Sequence, residues 1–189
     1  MIQSRRDFLK NAGKVAVAAS VATVLPMGAL AEKVEHPFTW SHLDPEATAD
    51  RAYASFSSMG GCCIAVADAI IGQLADTVGA PFDGIPVKMF QNGAAACIGL
   101  VCEPADSKAI LAEVMKWYRE SDLPAYDRGE PALAAVVPGS NNCVDSLGKF
   151  FAATGITSMS DPGRINRCAC LAADTAKKTV ELLNAHYGV

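Results

Sequence analysis

Apolar side chains recur at steps of three and four residues along several segments of this 189-residue chain, which is the spacing of amphipathic helices. The longest of these segments begins at Asp161-Pro162 and ends near Gly188, and both ends carry typical helix-boundary residues. Its predicted inward side consists of Ile165, Cys168, Ala172, Ala176, Val180 and Leu183. The pattern predicts a mainly α fold.

The same boundary signals predict four further helices. They run from Pro45 to the residue before Gly60, from Cys62 to Gly79, from Pro104 to about Glu120, and from Cys143 to Ala153. Residues 122–140 contain many turn signals, and the apolar run 132–137 fits either a short strand or an extended connector. We predict a compact single domain of about five helices with long irregular connections over residues 46–189, after an extended leader at 32–45.

The N-terminus resembles a twin-arginine export signal. Arg5-Arg6 precede a Phe-Leu pair and a lysine, and a mildly apolar run follows at residues 15–25. Ala29-Leu30-Ala31 places small residues where a signal peptidase requires them, so the mature chain is predicted to begin at Glu32. A membrane span needs roughly 20 strongly apolar residues. We therefore expect a cleaved signal at residues 1–31, a periplasmic or otherwise extracytoplasmic protein, and no stable membrane span after cleavage.

Signal removal leaves 158 residues, a common size for one domain. The removed part carries four basic side chains and one acidic side chain, so the net charge changes from −4 to −7. The sequence contains no basic patch of the kind that binds nucleic acid, so nucleic acid is not an expected partner. Negative charge instead favours association with a basic surface on a partner protein.

The mature part contains all seven cysteines, which are Cys62, Cys63, Cys97, Cys102, Cys143, Cys168 and Cys170. Exported proteins can keep disulfides, but an odd number leaves at least one thiol without a partner in the same chain. The resemblance to twin-arginine signals implies export in the folded state, commonly after a cofactor has been inserted. Thiolates are the usual ligands of iron–sulfur clusters and common ligands of zinc and copper(I).

Covalent haem c is excluded by the spacing of the cysteines. Its attachment requires Cys-x-x-Cys-His, and this string does not occur in the chain. The nearest strings, Cys97 to Cys102 and Cys168 to Cys170, are not followed by histidine. The three histidines lie near the ends of the mature chain, which gives little support to a mixed Cys/His zinc site.

Several cysteines lie where a helix can stabilise negative charge. Cys62, Cys63 and Cys143 fall in the first turn of predicted helices, where free backbone N–H groups favour thiolates. Cys168 and Cys170 lie about 200° apart around the last helix, so they cannot both face one centre. We expect Cys168 to face inward and Cys170 to be a spectator.

These motifs resemble the C-GCAxxG-C-C family of small redox proteins and, within it, the split-Soret cytochrome c group. The resemblance covers most of residues 55–187 and is strongest around Cys62, the segment from Phe90 to Cys97, Lys116-Trp117-Tyr118, Cys143 with residues 146–149, and Arg167-Cys168-Ala169. It implies that Cys62, Cys97, Cys143 and Cys168 are the four shared ligands. It also implies a [2Fe-2S] or [4Fe-4S] cluster, an electron-transfer role and a homodimer.

The chain departs from that family in two respects. It lacks the haem-binding string, so the resemblance supports the cluster and not the haem. Cys102 stands where the family has its last glycine, and with Cys63 and Cys170 it adds thiols that could enlarge the cluster or form a disulfide. The predicted cofactor-binding and metal-ligating residues are Cys62, Cys63, Cys97, Cys102, Cys143 and Cys168.

We therefore expect an exported electron carrier or redox subunit that holds an iron–sulfur cluster and docks with a redox partner protein. The sequence contains no Ser/His/Asp or Cys/His arrangement typical of an enzyme. Two alternatives remain at this stage. One is a thiol–disulfide or soft-metal (copper or zinc) handling protein that uses the vicinal pair Cys62-Cys63, and the other is an interaction domain stabilised by disulfides.

Overall fold

The computed structural model describes residues 35–91, 93, 96–127 and 133–189. The twin-arginine motif, the apolar run and the predicted cleavage site lie outside these residues, as do the first residues of the leader. Helices dominate the described part, which contains no strand and a single isolated antiparallel bridge between Leu123 and Val136. None of its helices is both long enough and apolar enough to cross a bilayer.

The described helices confirm the predicted mainly α fold. In chain order they are α1 Pro45–Met59, α2 Cys62–Ala67, α3 Gln73–Val78, α4 Ala96–Val101, α5 Pro104–Glu120, α6 Cys143–Thr154 and α7 Pro162–Tyr187. A π-helical turn, Asp68–Gly72, joins α2 and α3 into one continuous rod. The five predicted helices are all present, and the short α4 is an additional one.

Side-chain caps explain why the helices begin where they do. Asp44 accepts a hydrogen bond from a backbone N–H at the start of α1 at 2.7 Å, and Asn142 does so for α6 at 3.2 Å. Asp161 caps α7 in the same way at 2.8 Å. These bonds satisfy N–H groups that the first turn of a helix leaves without partners. At its other end α1 stops at Gly60, whose φ of 84° lies in the left-handed region.

The core forms where α1, α2 and α5 pack against α7. Many of the fully buried contacts are made by alanines, including Ala49, Ala52 and Ala176, and small side chains allow helix backbones to approach closely. One sequence-based expectation about α7 was wrong, because Ile165 is 40% exposed rather than inward. It lies in the first turn of α7, whereas the buried residues of this helix begin at Arg167.

The leader that precedes α1 is fastened to two helices. The N–H of Phe38 donates to the carbonyl of Leu100 in α4 at 2.9 Å. Trp40 Nε1 donates to Asn184 Oδ1 in α7 at 3.0 Å, and Asn184 Nδ2 donates to the carbonyl of Leu43 at 2.8 Å. Residues 36–43 are therefore held against the domain.

Candidate metal centre

A cleft of about 490 Å³ opens beside α7 and brings together four of the predicted ligands. Cys62 and Cys63 come from α2, Cys143 comes from α6 and Cys168 comes from α7. Most of the remaining wall is apolar and consists of Val66, Ile98, Leu111, Val114, Met115, Leu171 and Ala172. No carboxylate or imidazole among the described residues lines this cleft. Its donor atoms are therefore mainly soft sulfur atoms.

Helix starts place three of these thiols. Cys62 and Cys63 are the first two residues of α2, and the backbone N–H of Cys63 hydrogen-bonds the Cys62 sulfur. Cys143 is the first residue of α6 and follows its cap, Asn142. Cys62 and Cys143 are exposed at the mouth of the cleft, and Cys63 is half-buried. The helix-start prediction for all three is confirmed.

The four thiols influence one another electrostatically. Cys62 is exposed as a residue, but partial desolvation of its thiol at the cleft raises the thiol pKa to about 11, and the neighbouring thiols of Cys63, Cys168 and Cys143 add to the rise. Burial also raises the pKa of the Cys168 thiol, with Cys143 contributing in the same direction. An anionic form of this thiol group therefore requires compensating positive charge.

Arg167, which was not among the predicted site residues, supplies such a charge. It lines the same cleft and is only 1% exposed. Its Nη2 donates to Ser146 Oγ at 2.8 Å, and its guanidinium lies over the Phe150 ring, 4.9 Å from the centroid. It also hydrogen-bonds the side chain of Cys168, and together with Arg164 it opposes the rise in the pKa of that thiol. The one sequence feature that could have indicated Arg167 is its place directly before Cys168 in the motif that resembles the family.

A short polar chain extends from Arg167. The Tyr118 hydroxyl lies 3.1 Å from Ser146 Oγ, which is also the acceptor for Arg167. Burial raises the pKa of Tyr118, whereas the hydrogen bond with Ser146 and the charge of Arg167 lower it. Tyr118 and Arg167 thus place polar groups on a wall that is otherwise largely apolar.

The other two predicted ligands occupy different positions at the two ends of α4. Cys97 is buried beside Cys63, and burial raises the pKa of its thiol to about 12. It is not among the residues that line the cleft, although its neighbour Ile98 is. Cys102 lies away from the cleft, where the Tyr187 hydroxyl donates to its sulfur at 3.8 Å. The structure therefore places four of the six predicted ligands in the lining of the cleft and leaves Cys97 and Cys102 outside it.

Helical geometry separates Cys170 from Cys168, and the expected spectator role of Cys170 stays a prediction. It is fully buried and is not among the residues that line the cleft. Its sulfur lies 3.8 Å from Asn166 Oδ1, and Asn166 also accepts a hydrogen bond from the Tyr53 hydroxyl of α1. Cys168 and Cys170 thus face different surroundings on α7.

The cleft gathers four thiols from three helices. In the part of the chain that the structure describes, no group of three or more His, Cys, Asp or Glu side chains is spaced to hold a metal ion. Arg167 Nε is buried and has no hydrogen-bond partner, and no carboxylate of the described residues forms an ion pair with Arg167. A buried cation left in this state fits an anionic, thiolate-ligated occupant.

Comparison with known proteins identifies one relevant relative. Split-Soret cytochrome c from Desulfovibrio desulfuricans is 26% identical over an alignment of 216 positions, gaps included, that covers 95% of this chain and 77% of the relative. The two proteins are homologous. A solved structure of split-Soret cytochrome c, described as containing a novel iron centre, matches with a TM-score of 0.75 and 24% identity over 80% of this chain and 72% of that chain.

The homology to split-Soret cytochrome c fits a redox, electron-transfer role for the chain. The match to the solved structure shows that the fold is shared over most of both chains. No protein-family model matches the sequence, so membership of the C-GCAxxG-C-C family stays a prediction.

Proposed function

We propose that this chain is an exported electron-transfer protein, or a redox subunit, that holds an iron–sulfur cluster in the cysteine-lined cleft. One observation carries the proposal: thiols from α2, α6 and α7 meet in a cleft without described carboxylates or imidazoles, beside a buried arginine that has no carboxylate partner. When bound, an iron–sulfur cluster supplies reversible one-electron transfer.

The proposed ligands are the cysteines grouped at the cleft. Cys62, Cys63, Cys143 and Cys168 line it, and Cys97 lies beside Cys63 as a fifth thiol. More than four nearby thiols are consistent with a [4Fe-4S] cluster, a [2Fe-2S] cluster or a larger, unusual one. The first turns of α2 and α6 offer N–H groups to sulfur, and the apolar wall limits the access of water. Both features influence reduction potentials.

Location and assembly are part of the same proposal. The signal at Arg5-Arg6 would direct the folded protein out of the cytoplasm, so its cofactor would be loaded before export. Cys62 and Cys143 are exposed at the mouth of the cleft, which would leave the centre close to the surface for electron exchange with a partner protein. A homodimer is proposed on the family resemblance alone.

Two expectations from the sequence are less favoured. A nucleophilic Cys62-Cys63 pair would require a lowered thiol pKa, whereas burial and neighbouring thiols raise the pKa of Cys62. The hypothesis of a disulfide framework is less favoured because the described structure has free thiols at six positions. These are Cys62, Cys63, Cys97, Cys102, Cys143 and Cys168.

Anaerobic purification of the full chain tests the proposal. We expect visible absorption together with iron and acid-labile sulfide in comparable molar amounts, and a paramagnetic signal in one oxidation state. Cys143→Ser and Cys168→Ser should lose or alter the absorption and the signal. Cys170→Ser is the matched control on the same helix and should keep both. Colourless protein without iron or sulfide, or an unchanged spectrum in Cys143→Ser, contradicts the proposal.

A further inference from the structure

We propose that Arg167 balances the charge of the metal centre and raises its reduction potential. The inference rests on the function proposed above and assigns a specific electrostatic role to a residue that is not a ligand. Three features of the described structure carry it: the burial of the guanidinium, the nature of its hydrogen-bond partners, and its position among the thiols.

Arg167 keeps its full positive charge in a buried place. Its hydrogen-bond acceptors in the described structure are the neutral oxygens of Ser146, at 2.8 Å for the hydroxyl and 3.4 Å for the carbonyl, and the Cys168 side chain. By contrast, Arg51 pairs with Asp68 at 3.0 Å and with Asp76 at 2.5 Å, so its charge is neutralised locally. Burial of an uncompensated cation is costly, which implies that a negative charge from another source completes the site.

The guanidinium is also fixed in position. Ser146 holds it from α6, and the face of the Phe150 ring supports it from the same helix. It shares the cleft wall with Cys143 and Cys168, two of the proposed ligands. Its Nε is buried and has no hydrogen-bond partner. Arginine stays protonated under all ordinary conditions, so this charge is permanent.

A permanent positive charge beside the centre acts on the two oxidation states unequally. One-electron reduction adds one unit of negative charge to the centre, and an adjacent cation stabilises that charge more strongly in the interior than in water. The cation therefore stabilises the reduced state more than the oxidised state, and the reduction potential rises. Removal of the charge should lower the potential.

The test is a redox titration of the anaerobically purified holoprotein, followed by visible or paramagnetic spectroscopy. For Arg167→Gln we expect the equilibrium constant of one-electron reduction to fall at least about tenfold, which corresponds to about 59 mV. Lys177→Gln is the matched control, because Lys177 pairs with Glu46 and does not line the cysteine cleft. This control should change the constant less than about threefold. A change below about threefold in a fully loaded Arg167→Gln protein overturns the inference, as does an equal change in Lys177→Gln.

Arg167→Lys separates charge from shape. It keeps the positive charge without the planar fork, so we expect normal iron and sulfide content and a change of less than about threefold. A tenfold fall in this variant overturns the electrostatic role. If Arg167→Gln binds no cluster while Arg167→Lys and Lys177→Gln bind it normally, the charge-balancing role is supported directly. Absence of iron and sulfide from the unmodified protein would instead refute the proposed function itself.

Discussion

At the scale of single residues, Asn184 shows how one buried amide fastens a segment that lacks regular structure. It accepts a hydrogen bond from Trp40 Nε1 at 3.0 Å and donates one to the carbonyl of Leu43 at 2.8 Å. Both partners are buried. A buried polar group left without a partner costs about 1–3 kcal/mol, so the stability of the domain depends on this side chain.

Asn184→Ala should therefore lower the free energy of unfolding by about 2–4 kcal/mol, since it leaves two buried groups unsatisfied. Chemical denaturation followed by circular dichroism measures the change. Trp40→Phe removes one donor and keeps most of the aromatic surface, so it should lower the free energy of unfolding by less. Equal stability of Asn184→Ala and the unmodified chain would contradict the assigned role of the leader contacts.

Asp174 gives a pH-dependent prediction away from the cysteines. Burial raises the pKa of its carboxyl, and the backbone N–H groups of Ala125 and Tyr126, together with the charge of Lys177, only partly oppose the rise. A raised folded-state pKa contributes stability below the ordinary value of 3.8, and this contribution is lost as pH rises through the folded value. The ionised form is thus the less favoured one in the fold.

The stability advantage of the native chain over Asp174→Asn should therefore be largest near about pH 4 and should shrink towards about pH 7, because asparagine does not ionise. Urea unfolding of the two proteins in the same cofactor state, at several pH values, measures this difference. An advantage that is constant or grows with pH would refute the prediction.

Some residue positions follow from the sequence, and others do not. The opposite orientations of Cys168 and Cys170 follow from the 100° step of an α-helix. The same rule places Cys97 and Cys102 about 140° apart, so their separation could have been predicted had α4 been recognised as a helix. Arg167 could not be found in this way, because a charged residue on a helix is normally expected at the surface.

At the scale of secondary structure, the π-helical turn Asp68–Gly72 is built around an ion pair. Arg51 of α1 reaches Asp68 at 3.0 Å and Asp76 of α3 at 2.5 Å, and Ser55 donates to Asp68 at 2.6 Å. A Cβ at Gly72 would overlap the Arg51 guanidinium and lie 2.9 Å from Asp68 Oδ1. The turn therefore tolerates only glycine while these contacts persist.

Gly72→Ala should destabilise the domain by about 1–3 kcal/mol, because the guanidinium can move only by giving up its two carboxylate partners. Gly148→Ala is the control within α6, where an added Cβ meets no atom within 4 Å. It should be neutral or stabilising by up to about 1 kcal/mol. Thermal or chemical unfolding measures the stability of the two variants. Similar effects of the two changes would contradict the proposal that the turn is closely packed at Gly72.

Helix boundaries were the most predictable elements, for a physical reason. Asp44, Asn142 and Asp161 satisfy N–H groups locally, so the signal for each helix start lies within a few residues of it. The short α4 has no such clear boundary residue, so its start could not be located from the sequence. Ile165 was placed inward by periodicity, but the first turn of α7 lies outside the core. Tertiary packing, which periodicity does not contain, decided that position.

At the scale of the whole molecule, the proposed ligands link segments that are distant in the sequence. The cleft collects thiols from α2, α6 and α7, so a bound cluster would cross-link these helices. The position of each thiol within its own helix could be predicted from the sequence, either at the start of the helix or on its inward face. Their meeting at one cleft was implied by the family resemblance and not by any spacing, because it depends on how the helices pack.

Cluster removal should accordingly destabilise the protein. A ligand present at about 1,000 times its dissociation constant stabilises a fold by about 4 kcal/mol. For a chain of this size that corresponds to a decrease in Tm of roughly 8–16 °C after anaerobic chelation of the iron. Differential scanning calorimetry measures the change. Chelator should have no such effect on a Cys143→Ser protein that has lost its iron, and an unchanged Tm in the loaded native protein would argue against cross-linking.

The packing of α1 against α7 also sets an order of events in time. The first described helix finds its most extensive partner in the last one, and the leader is tied to Asn184 close to the C-terminus. During synthesis α1 emerges before α7, so α1 lacks its main packing surface until α7 has also emerged. The core therefore forms only after all the segments between these two helices have been made.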